Sequence, residues 1–108
     1  MTRNTNTTTM LSRCIANTII SQAGSMVLGS IGCQRPLALN ECAEYRGGVR
    51  FKVNGPMQYC EVILDWSDTY TVTHFRLEQS GRDRVVLSTI SDVYSDQLTD
   101  VLWTATQH

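Results

Sequence analysis

At 108 residues, 42% hydrophobic and 18% charged, with a formal net charge of −1, the chain has the dimensions of one domain, expected to span 1–108. This composition excludes a disordered chain, which would carry less apolar residue and more net charge, and the length excludes a multidomain enzyme. Apolar runs reach only three residues, as at Val85-Val86-Leu87, against the roughly 20 needed to cross a bilayer, so no membrane partner is expected.

Residues 1–9 are polar and threonine-rich, are expected to be flexible, and show no apolar stretch after Arg3 of the kind a secretory leader needs. Thr7 to Thr9 offer helix caps, and Leu11, Cys14 or Ile15, and Ile19 recur at helical spacing, which predicts a helix. Gly24 is its natural terminator, since glycine takes positive φ after a last turn. From Ser25 to Gly48, glycines and Pro36 interrupt short apolar pieces, predicting one short strand within a long irregular connection.

At Val49 the period changes to two. Val49, Phe51 and Val53 alternate with Arg50 and Lys52, predicting a strand with one apolar and one cationic face. Asn54-Gly55 signals a turn, although Pro56 argues against an ideal two-residue hairpin. The run from Tyr59 to Trp66 sets Cys60, Val62, Leu64 and Trp66 on one face and Glu61, Ile63 and Asp65 on the other. Ser67-Asp68 reverses the chain into Tyr70–Leu77, a β-prone partner for the preceding run. Ser80 to Asp83 is a polar turn, and Val85–Ile90 is a further strand. Ser91 would then cap a final helix carrying Tyr94, Leu98, Val101, Leu102 and Ala105 on one face. The expected fold is α+β: an antiparallel β-meander of about four strands with an N-terminal and a C-terminal helix on one sheet face.

Charge is divided along the chain. Residues 1–60 hold six cationic side chains against two acidic ones (+4), and residues 61–108 hold three against eight (−5). Asp92, Asp96 and Asp100 fall at i, i+4 and i+8, one stripe if all three lie on one helix, and such a stripe suits a basic partner. Arg46, Arg50 and Lys52 form a basic counterpart. Without interleaved aromatics, and with an acidic balance overall, they make nucleic acid the less favoured partner.

Catalytic signatures are missing. Gly29-Ser30-Ile31-Gly32 lacks the spacing of a nucleophile elbow, and Gly24–Ser30 lacks the Lys-Ser/Thr pair of a phosphate loop. Cys60 and His74 would face each other on adjacent strands, an arrangement more often packed core than a dyad. Asp65 and Asp68 flank a turn, where aspartates usually accept local hydrogen bonds rather than bind a cation. Cys14, Cys33, Cys42 and Cys60 contain no C-x-x-C pair and read as reduced thiols, mostly small core hydrophobes. No enzyme, cofactor, metal or catalytic residue is expected.

Asp68-Thr69-Tyr70-Thr71-Val72 and Val93-Tyr94-Ser95-Asp96-Gln97-Leu98 resemble segments of a group of small proteins of tailed bacteriophages and prophages. In that group the first segment reads Asp-x-Tyr-Asp-Val/Met-x-Phe and the second Val-Tyr-Ala-Asp-Gln-Leu. Thr71 departs from the usual Asp, and the Cys33–Arg46 connection is longer. The resemblance implies a viral protein acting in the host bacterial cytoplasm, and by analogy an anti-CRISPR-type inhibitor of a host defence protein or nucleoprotein complex. Its contact residues would be Asp92, Asp96 and Asp100 with Tyr94 and Trp103. The alternative is a nucleic-acid-associated or virion accessory protein using Arg46, Arg50 and Lys52. A homodimer through the uncovered sheet face is a third arrangement.

Overall fold

The computed structural model describes residues 10–78 and 83–106. Helix α1 (Met10–Ala23) and the short helix α2 (Ser25–Ser30) precede β1 (Gln34–Leu39), β2 (Gly47–Lys52), β3 (Gln58–Leu64), β4 (Tyr70–Leu77) and β5 (Arg84–Val93). A 3-10 turn at Ser95–Gln97 leads into the closing helix α3 (Leu98–Ala105). The strands form one antiparallel sheet in the order β1-β2-β3-β4-β5, so the expected meander gains an edge strand from the connection before it. Residues 1–9 and the expected turn positions Ser80 to Arg82 lie outside the described residues.

α1 buries Ser12, Ala16, Ile19 and Ala23, whereas Leu11 and Cys14 are exposed. The buried stripe is thus rotated from the one its larger apolar residues suggest. Small side chains let the helix approach the sheet closely, and at Gly47 an added Cβ would sit 3.0 Å from Ile15 Cδ1. Gly24 (φ +89°) ends α1 as expected and turns the chain into α2. Met26-Val27-Leu28 is therefore helical, with Val27 and Leu28 in the core.

The period-two reading of β2 holds: Val49 and Phe51 are buried, and Arg50 and Lys52 are half-buried on the opposite face. In register, Val49 lies opposite Val62 and Phe51 opposite Cys60, while Val62 lies opposite Val72. These residues form the covered face beneath α1 and α3, joined by Leu98, Leu102 and Ala105 from α3. The β2–β3 connection exceeds two residues, closed by the Val53 amide donating to the Gln58 carbonyl at 3.1 Å, with Gly55 and Met57 at positive φ. Trp66 lies past the end of β3 and is exposed rather than inward, its indole N–H donating to the Ala43 carbonyl at 3.2 Å.

The two ends of the fold are tied together. Thr99 Oγ1 donates to the Ala23 carbonyl at 2.7 Å, satisfying an acceptor that the end of α1 would otherwise leave open, and Tyr70 donates its hydroxyl to Gln22 Oε1 at 2.6 Å.

Candidate functional site

The uncovered sheet face is where charge and aromatic surface meet. Arg50 and Lys52 project there from β2, Tyr59 and Glu61 from β3, Phe75 from β4 and Arg84 from the start of β5. Lys52 lies opposite Tyr59, which lies opposite Phe75, so neighbouring strands place aromatic rings beside the cations. The Tyr59 and Phe75 rings stack with centroids 5.8 Å apart and planes 19° from parallel, and the Arg84 guanidinium lies over Phe75, 4.2 Å from its centroid.

A cleft of about 460 Å³ opens above these rings, lined also by Arg35, Leu37 and Leu77. A bulge in β1, with Arg35 at φ +53°, accompanies the placement of Arg35 at its rim. Glu61 is the acidic member of the array: it accepts from Arg50 Nη2 at 2.8 Å and Nε at 3.1 Å, and from Arg84 Nη2 at 3.4 Å. Four cationic side chains line the cleft and only two of them engage the single carboxylate, which leaves it net positive, with Phe51, Tyr59 and Phe75 among its lining. Such a site attracts an anion and offers its planar parts a stacking surface.

The expected basic patch is only partly assembled. Arg50 and Lys52 share the cleft, but Arg46 precedes β2 at the other end of the sheet and pairs with Asp68. Sequence reading missed Arg35, Arg84, Tyr59 and Phe75. The aromatics are not interleaved with the cations along the chain; strand register brings them together. The outward phase of Tyr59 within β3 was the available signal.

The acidic stripe does not form. β5 runs on through Ser91 and Asp92 to Val93, which pairs with Tyr70, so Ser91 caps no helix. Asp92 sits in a bulge at φ +57°, a conformation aspartate tolerates better than most residues, and the bulge lets Val93 reach the core. The helical segment starts only at Ser95, where the Tyr94 amide donates to Gln97 Oε1 at 3.0 Å. Asp92, Asp96 and Asp100 thus belong to a strand, a 3-10 turn and α3 in turn, all exposed. Tyr94, expected on the apolar face, is 61% exposed, and Trp103 is 48% exposed beside Asn54 and Gly55 in a second cleft.

Cys60 and His74 do face each other in register, both fully buried. Burial pushes the Cys60 thiol from 9.0 up to about 12, so it is a thiol at neutral pH and no thiolate nucleophile. His74 Nε2 lies 3.0 Å from Gln58 Oε1. Of the four cysteines only Cys60 is buried; Cys33 is half-buried, and Cys14 and Cys42 are exposed, against the expectation of mostly core thiols. Asp65 and Asp68 serve local structure, Asp65 accepting from Thr71 Oγ1 at 2.6 Å and Asp68 pairing with Arg46. Among the described residues no group of three or more potential metal ligands occurs.

The raised Cys60 value carries a stability consequence. Above pH 9 an unfolded chain loses this proton while the folded chain keeps it, so stability falls as pH rises from 9 toward about 12. Burial displaces Cys33, Tyr45 and Tyr70 in the same direction. Denaturant midpoints measured below and above pH 9 should show the decline, and Cys60→Ala should flatten it.

No helix among the described residues is long and apolar enough to cross a membrane. Comparison of the chain with protein-family models, with curated proteins and with solved structures finds no match.

Proposed function

We propose that the chain is a binding protein whose uncovered sheet face takes single-stranded nucleic acid, as an accessory protein in the bacteriophage setting that residues 68–72 and 93–98 suggest. One observation carries this reading: the stacked Tyr59–Phe75 pair ringed by Arg35, Arg50, Lys52 and Arg84. Cations supply sequence-independent attraction to phosphates, and the half-buried Tyr59 ring, backed by buried Phe75, supplies stacking that only unpaired bases can use. Filter binding of single-stranded and duplex oligonucleotides at two salt concentrations tests it. Single strands should bind tighter, with affinity falling steeply as salt rises. Tyr59→Ala should weaken binding by about 1–3 kcal/mol, whereas Tyr59→Phe should retain it. Absence of binding at low salt removes the proposal.

The inhibitor reading retains a narrower support. Asp96 and Asp100 remain exposed one helical turn apart, near exposed Tyr94 and Trp103, and neither carboxylate is ion-paired among the described residues. Under that reading the end of the molecule bearing α3 contacts a basic defence complex. Replacing Asp92, Asp96 and Asp100 with asparagine would then release the partner while leaving oligonucleotide affinity unchanged.

A further inference from the structure

The cations of the uncovered face are gathered at one end of the sheet. Across the strands, Lys52, Tyr59 and Phe75 form one outward row and Arg50, Glu61 and Thr73 the next. The row after that, Gly48, Ile63 and Thr71, carries no cation, and Arg46 farther along is paired with Asp68. A single strand laid along the whole face would find partners for its phosphates at one end only. The cleft itself, about 460 Å³, is near the lower end of the range for small-ligand sites, about 300–1,000 Å³, whereas oligonucleotide-binding folds that track a strand engage about 4–16 nucleotides.

Within the cleft the four cations are not equivalent. Arg50 and Arg84 share Glu61, whereas Arg35 and Lys52 pair with no carboxylate among the described residues. Lys52 Nζ donates to the Val53 and Gly55 carbonyls, 3.2 Å each, which fixes the ammonium and leaves its third proton for a ligand. Gln34 lies opposite Lys52 and Leu37 opposite Arg50, so the bulge holding Arg35 falls between those two cations. Arg35 has φ +53°, a conformation few residues other than glycine, asparagine and aspartate adopt, and the bulge that imposes it sets a guanidinium at the rim.

We propose that the cleft takes the phosphorylated end of a nucleotide chain rather than its middle, which deepens the single-strand reading and rests on it. A terminal phosphomonoester carries about −1.5 to −2 at pH 7, against one charge for an internal phosphodiester, and presents three acceptor oxygens. Arg35 and Lys52, the two cations without a carboxylate, hold those oxygens, and the terminal base lies against Tyr59. The required chemistry is a nucleotide with a phosphomonoester; a free nucleoside monophosphate supplies it as a strand end does.

Isothermal titration calorimetry of the full chain tests it with one short DNA strand in four forms: phosphorylated at the 5′ end, phosphorylated at the 3′ end, unphosphorylated, and closed into a circle. A nucleoside monophosphate is the further ligand. A strand phosphorylated at one of its ends should bind about tenfold more tightly than the unphosphorylated strand or the circle. Arg35→Gly, which suits the positive φ, should keep the circular dichroism spectrum and erase that preference, as should Lys52→Gln, while Arg46→Gln should retain it. A circle that binds as tightly as the phosphorylated strands, or a preference that survives both cleft variants, overturns the inference and leaves the single-strand reading standing. A nucleoside monophosphate that binds while no oligonucleotide does keeps the terminal phosphate and removes the single-strand reading; no binding by any ligand removes both.

Discussion

A chain carrying Arg50→Gln, Lys52→Gln and Arg84→Gln should bind a single-stranded oligonucleotide on the order of a hundredfold more weakly at low salt than the natural sequence. Each phosphate contact on a single strand contributes about 0.7 to the slope of log affinity against log salt, so losing three should flatten that slope by about 2. The slope is the decisive readout, because a variant that merely loosens the sheet would lower affinity without changing it. Glu61→Gln gives the opposite sign. Glu61 engages both Arg50 and Arg84, and a neutral amide in its place would free two guanidinium groups for phosphate, so affinity should rise several-fold and the slope steepen. If Glu61→Gln weakens binding as the triple variant does, the cleft is a structural ion-pair network and not a ligand site.

Gly48→Ala should lower unfolding free energy by about 1–3 kcal/mol, one of the larger effects available to the addition of a single methyl group. A Cβ at this position would lie 2.4 Å from the Val62 carbonyl oxygen and 2.9 Å from Ile63 Cα. The obstruction is backbone of the neighbouring strand, which cannot turn aside as a flexible side chain would. For a domain near this size each kcal/mol shifts the thermal midpoint by about 4–8 °C, so differential scanning calorimetry resolves the change. Gly29→Ala is the matched control: nothing lies within 4 Å of an added Cβ there, and glycine inside a helix is costly, so this variant should gain about 0.5–1 kcal/mol. Equal midpoints for the two variants would show that β2 and β3 do not approach this closely.

The parts of the fold that were legible are those set by local pattern. Val49, Phe51 and Val53 alternate strictly with Arg50 and Lys52, and Gly24 and Asn54-Gly55 announce their turns through backbone chemistry alone. The i, i+4, i+8 spacing of Asp92, Asp96 and Asp100 satisfies a helix, whereas the pairing of Val93 with Tyr70 keeps the chain in β5 for three residues beyond Ile90. Tertiary pairing overrode periodicity. The site was half legible for a related reason: Arg50 and Lys52 are two positions apart in one strand, but Tyr59, Phe75 and Arg84 join them only through the register of three further strands. Spacing along a chain reveals neighbours on one strand and is silent about neighbours across a sheet.

The hydroxyl that Thr99 lends to the carbonyl of Ala23 spans 76 positions. On a ribosome, α1 emerges long before its own last acceptor can be met, and the face it will cover is still being synthesised. Closure of this domain must therefore wait until Thr99 has left the exit tunnel, which leaves the nascent apolar surface of α1 open to chaperones meanwhile.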